Sequence, residues 1–122
     1  MKKVILLSLA LILPTFAHGE NTMMQELQKG PWTFKLNEDA RANTAVFEFH
    51  KGGKRINTMT LVKKSQSKPY GHDRQYENGQ CKIKIMQDGE TAVYVKILTP
   101  KSCQKLASVG KVNFEGIYSF GF

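Results

Sequence analysis

The stretch "FEFHKGGKRINTMT", residues 47–60, decides how this chain is read. Gly52-Gly53 lies between two strand-like runs, and a two-residue hairpin turn needs positive φ at both central positions, which glycine adopts freely. Pairing outward from that turn sets Phe49 opposite Ile56, Phe47 opposite Thr58 and Ala45 opposite Thr60. His50 then falls on the solvent face, opposite Arg55. Upstream, Trp32, Phe34 and Leu36 alternate with polar residues just as Ala45, Phe47 and Phe49 do. Such a period of two marks the half-buried strands of an antiparallel sheet.

A second hairpin is predicted in "CKIKIMQDGETAVYVKIL", residues 81–98. A three-residue loop, Gln87-Asp88-Gly89, pairs Ile83 with Val93, Cys81 with Val95 and Ile85 with Thr91. It leaves Lys82 and Lys84 outside, facing Tyr94 and Ala92. A slip of one residue would turn the apolar set outward. After Pro100, "KSCQKLAS" predicts a helical turn that returns Cys103 to the sheet, and a last strand runs through "KVNFEGIYSFGF". Before the first alternating run, "NTMMQELQK" (21–29) offers N-caps and helix formers, so a short N-terminal helix is expected, ended by Gly30-Pro31. The fold class is therefore all-β: a small antiparallel barrel or strongly curved meander sheet of six or so strands. The alternating segments are mostly shorter than the nine to eleven residues that cross a bilayer, which argues against a porin-like barrel.

The chain opens with Lys2-Lys3 and the apolar run "VILLSLALILPTF", followed by Ala17 and Gly19 two apart. This is the pattern of a signal peptide, with cleavage expected after Gly19 or, alternatively, Ala17. Residues 1–19 would be the leader and 20–122 one domain, periplasmic or secreted, with no lipobox cysteine and no membrane span in the mature chain. Losing Lys2 and Lys3 lowers the formal charge of +8 to +6. That excess favours an anionic partner, a protein face or an envelope component, and an exported domain rarely meets nucleic acid. The two cysteines, Cys81 and Cys103, read as one structural disulfide in an oxidising compartment.

The segments "GQCKIKI", "PKSCQKL" and "VNFEGIY", between Gly79 and Tyr118, resemble a pattern of small exported bacterial β-domains. In that pattern a cysteine opens a strand, a second follows some twenty residues later, and F-x-G-x-Y closes the domain. Gly30-Pro31-Trp32 resembles the G-x-W that opens lipocalin-like barrels. Similar small barrels include periplasmic lysozyme inhibitors, whose basic target enzymes are a poor electrostatic match for this chain. The resemblance assigns no site.

The polar stretch "SKPYGHDRQYENGQC", residues 67–81, reads as the longest connection of the domain. A Cys81–His72–Asp73 nucleophile would need a free thiolate, which the disulfide removes. His72, Asp73, Glu77 and His50 lack spacing that would fix a metal site. Neither an enzyme nor a cofactor is expected. Binding is: Tyr70, His72, Arg74 and Tyr76 are residue types enriched at interface hot spots, although both tyrosines are equally suited to packing the loop down. Lys63, Lys64, Lys68, Lys82, Lys84 and Lys96 offer a neighbouring basic surface. The inward aromatics Trp32, Phe34, Phe47, Phe49, Phe114 and Phe120 suit core filling; a lipocalin-like carrier of an apolar ligand is the alternative.

Overall fold

The computed structural model describes residues 22–66 and 73–120. The expected leader, Lys68, Tyr70, His72 and Phe122 lie outside the described residues. Eight strands pair antiparallel in sequence order and close into a barrel. They are β1 (Thr22–Lys29), β2 (Trp32–Asp39), β3 (Thr44–Lys51), β4 (Lys54–Gln66), β5 (Asp73–Asn78), β6 (Cys81–Asp88), β7 (Ala92–Ile97) and β8 (Gly116–Ser119). The one helix among the described residues, α1 (Pro100–Ala107), lies between β7 and β8. Closure removes the sheet edges that a short meander would leave unpaired.

This topology gives the barrel two unlike ends. The turns at 30–31, 52–53 and 79–80 lie at one end with α1 and the chain up to Glu115; we call it the helix end. The turns at 40–43 and 89–91, the start of β1 and the finish of β8 lie at the other, the distal end. The seam is formed by β8 and β1, which meet with Glu26 opposite Ser119.

Rings fill the middle. Phe114 meets Phe34, Phe47 and Phe49 edge-on at centroid distances of 6.3, 5.2 and 5.4 Å. Tyr118 packs against Phe47 at 5.9 Å and donates its hydroxyl to the Phe114 carbonyl. All five rings are buried, so they act as core, as a barrel of this size requires. Trp32 stacks on Phe34 and is only half-buried. Gly116 makes the seam fit: its φ is +151°, and a Cβ there would come within 2.8 Å of Leu27.

Four expectations need correction. The N-terminal helix is instead β1, with Gln25 opposite Leu36 and Leu27 opposite Phe34. A two-turn helix is marginal alone, while a strand here satisfies its backbone against β2 and closes the barrel. In the first hairpin, both glycines take positive φ and His50 does face Arg55, but the register then slips at Ile56. Phe49 pairs with Asn57, Phe47 with Met59 and Ala45 with Leu61. This bulge turns Met59 and Leu61 into the core and leaves Ile56, Thr58 and Thr60 exposed.

In the second hairpin the loop is 89–91, and Ile83 pairs with Ile97, four residues from the expected partner. An even slip keeps every side chain on its face, so burial alone could not detect it. Residues 73–78, read as loop, form β5, and the regular last strand is shorter than expected.

Candidate binding surfaces at the two ends of the barrel

Arg74 and Tyr76 both point inward, paired across the ladder with the buried Ile85 and Ile83. Glu38, on β2, also points inward, opposite the buried Ala45. The three meet across the barrel near the distal end. Arg74 Nε and Nη2 donate to the two oxygens of Glu38 at 2.7 and 2.8 Å, and the Tyr76 hydroxyl donates to Oε2 at 2.6 Å. The ion-paired side chains are only 14% and 12% exposed.

Burial alone would lower the Arg74 pKa, but the hydrogen bond and charge of Glu38 outweigh it and raise the value. Burial raises the Tyr76 pKa first, and the Glu38 carboxylate raises it further, to well beyond the ordinary phenol range. The group is a brace: one carboxylate takes two parallel N–H bonds of the planar fork and the phenol hydroxyl as a third. Its geometry holds strands together, and Tyr76 is buried rather than presented for contact.

The lysines singled out in the sequence are compensated unevenly. Lys63 Nζ donates to Gln66 Oε1, and Lys64 sits exposed at a bulge in β4. Lys82 faces Glu77 across the strands, and Lys84 lies 3.8 Å from Asp73. Lys96 faces Lys84 in direct register. On this outer face Asp73 and Glu77 offset two of the five lysines.

His50 points outward, with its Nε2 2.9 Å from Glu48. Among the described residues no three His, Cys, Asp or Glu side chains converge as a metal-binding group. Cys81 is bonded to Cys103.

Among the described residues Arg41 and Lys64 are exposed outside ion pairs toward the distal end, but the densest group of such bases is at the helix end. Lys51, Lys54 and Arg55 flank the Gly52-Gly53 turn, Lys101 and Lys105 stand one helical turn apart on α1, and Lys111 follows it. All six are exposed. Lys51 also lies 5.5 Å above the Trp32 ring. None of the six belongs to an ion pair among the described residues. The nearby acid Glu115 is turned to internal work. Its Oε1 accepts the Ile97 N–H and its Oε2 the Tyr94 hydroxyl, a bond that raises the Tyr94 pKa.

This end is rigidly built. Thr99 Oγ1 donates to the Gln80 carbonyl and accepts the Lys82 N–H, fastening the start of α1 to the β5–β6 turn. The disulfide ties Cys103 to the start of β6. Asn57 donates its side-chain amide to the Ala107 carbonyl, and Lys29 Nζ donates to the carbonyls of Asn113 and Glu115. Sequence reading missed this cluster because its members come from a hairpin tip, a helix and a loop. Only strand order brings them to one end. No family model, curated protein or solved structure matches the chain.

Proposed function

We propose that the domain acts by binding, as an exported module that engages an anionic partner, an envelope component or an acidic protein face, through its helix end. The observation that carries this reading is the segregation of charge. Six exposed bases outside ion pairs collect at one end, while elsewhere Arg74 is held by Glu38 and Lys84 lies beside Asp73. A one-signed surface of this kind concentrates anionic partners and accelerates encounter, with strong salt dependence. Nothing comparable favours the carrier reading, because buried rings occupy the space an apolar ligand would need. Among the described residues no helix is long and apolar enough to cross a membrane.

The test is retention on immobilised anionic ligands at rising salt. Lys54→Gln/Arg55→Gln and Lys101→Gln/Lys111→Gln should each weaken retention by about tenfold. Lys63→Gln/Lys64→Gln, an equal change of charge toward the distal end of β4, should leave it nearly intact. Equal losses in all three would reduce the effect to net charge and end the proposal.

A further inference from the structure

Within the basic end lies a groove of about 500 Å³ between the β5–β6 turn and α1. Its walls include Asn78, Gln80, Cys81, Ser102, Lys105 and Leu106, with the Cys81–Cys103 disulfide buried beneath. We infer that this groove is the specificity site of the basic end and that it takes a sugar unit of an acidic glycan. The inference rests on the binding role proposed above and narrows its partner to one chemical class.

The volume falls in the range of small-ligand sites. Polar character decides among anions. Asn78 donates its amide to the Thr60 carbonyl, which leaves its side-chain oxygen as an acceptor facing outward chemistry. Gln80 and Ser102 each add a donor and an acceptor, and among the described residues no side-chain bond engages either. Sulfate only accepts, and inorganic phosphate at neutral pH has few P–OH donors beside its acceptor oxygens, so most acceptors in such a site would be unmatched. Hydroxyl groups both donate and accept, and they use such a mixed wall fully.

Leu106 is half-buried and provides an apolar contact for the C–H face of a ring. Lys105, at the last turn of α1, supplies the charge for a carboxylate, sulfate or phosphate substituent. Lys101 lies four residues away along the helix, and Lys54, Arg55 and Lys111 extend the field for neighbouring acidic units of the same chain. The groove is also pre-organised: the disulfide and the Thr99 bonds fix its two walls relative to each other. Little conformational freedom is therefore lost on binding.

The test is calorimetric titration of the full, disulfide-intact protein with uronate-, sulfate- and phosphate-bearing oligosaccharides. Neutral oligosaccharides of the same length, inorganic phosphate and anionic lipid vesicles serve as comparisons. At least one acidic oligosaccharide should bind about tenfold more tightly than its neutral counterpart and than phosphate. Gln80→Ala and Ser102→Ala should each weaken it several-fold while leaving retention on a simple anionic matrix unchanged; Lys105→Gln should lower both.

If Gln80→Ala and Ser102→Ala change nothing while the hairpin-tip variants weaken every anion, the groove is not the site, although the anion-binding role survives. Preference for vesicles over every oligosaccharide would also overturn the glycan assignment. Absence of binding to all of these anions would remove both readings together.

Discussion

At the distal end Glu38 and Arg74 face each other at 2.7 Å inside the barrel, with Tyr76 on the same carboxylate. At the helix end Lys54, Arg55, Lys101 and Lys111 stand exposed and, among the described residues, without an ion pair. The difference lies in what each charge has in place of water. A guanidinium taken out of solvent must find a carboxylate, and once it has, neither can serve a partner without being replaced. A solvated lysine contributes almost nothing to stability and stays available. Two arginines of one chain, Arg74 and Arg55, thus have opposite uses, decided by the faces their strands present.

The disulfide gives the largest effect with which to probe this contrast. Replacing Cys81 and Cys103 together by serine should cost roughly 3 kcal/mol in denaturant unfolding, the loop-closure value for a span of this length. Because the bond fastens α1, anion retention should also weaken under conditions where the barrel is still folded. Loss of stability with undiminished retention would mean that the helix does not shape the basic surface.

Next comes the brace. Glu38→Ala removes the carboxylate that takes two N–H bonds of the enclosed Arg74 and the Tyr76 hydroxyl, and should cost about 2 kcal/mol. This is below the cost for a wholly buried pair, because both side chains keep some solvent contact. Anion retention should be unchanged, and a fall in retention would couple the two ends.

Tyr76→Phe removes one hydroxyl donor and should cost about 1 kcal/mol. It should also alter the response to alkali. Tyr76 and Tyr118 both have folded pKa values raised above the ordinary phenol value, by burial first and, for Tyr76, by Glu38 as well. The neutral phenol is thus the form that the fold stabilises. That stabilisation is complete below about pH 10 and is lost as pH rises beyond it. The decline should be shallower in Tyr76→Phe, as measured by denaturation midpoints across pH 9–12; an unchanged slope would place the alkaline sensitivity outside Tyr76, with Tyr118 and Tyr94 the other raised phenols. The smallest effect belongs to Lys54→Gln, which should move stability by under about 0.5 kcal/mol. A larger shift would show that the tip charges are structural after all.

Much of the inner face was legible because the barrel reads parity. Phe34, Leu36, Ala45, Phe47, Phe49, Ile83, Ile85, Val93 and Val95 alternate strictly, and all are buried. The pairing of the two cysteines followed from their number and the exported reading. Where an inward position is polar, the alternation vanishes. β5 hides its inward side behind Arg74 and Tyr76, and β1 hides its own behind Gln25, which is buried with its amide turned to the Thr91 carbonyl. Register beyond parity was out of reach, since the bulge at Ile56 and the four-residue slip at the second hairpin answer to whole-barrel closure. For the candidate site the limit was different. Arg74 and Tyr76 were singled out, but their acceptor Glu38 lies 36 residues from Arg74, on a strand that is not its neighbour. The basic end needed the direction of every strand before its residues could be placed together.

The seam between β8 and β1 has a mechanical meaning. The two strands run in opposite directions, so the start of β1 and the finish of β8 both head toward the distal end, with Ser119 opposite Glu26 midway along β1. Tension applied between those points would load their hydrogen bonds one at a time, as a zipper opens, and the contact is anchored over a short strand by a pairing such as Glu26 with Ser119. Force between Cys81 and the β1–β2 turn would instead act on the disulfide-fastened cap and several ladders at once. The same barrel should therefore yield at low force when drawn by its first and last strands and resist when gripped at the end that carries its positive charge.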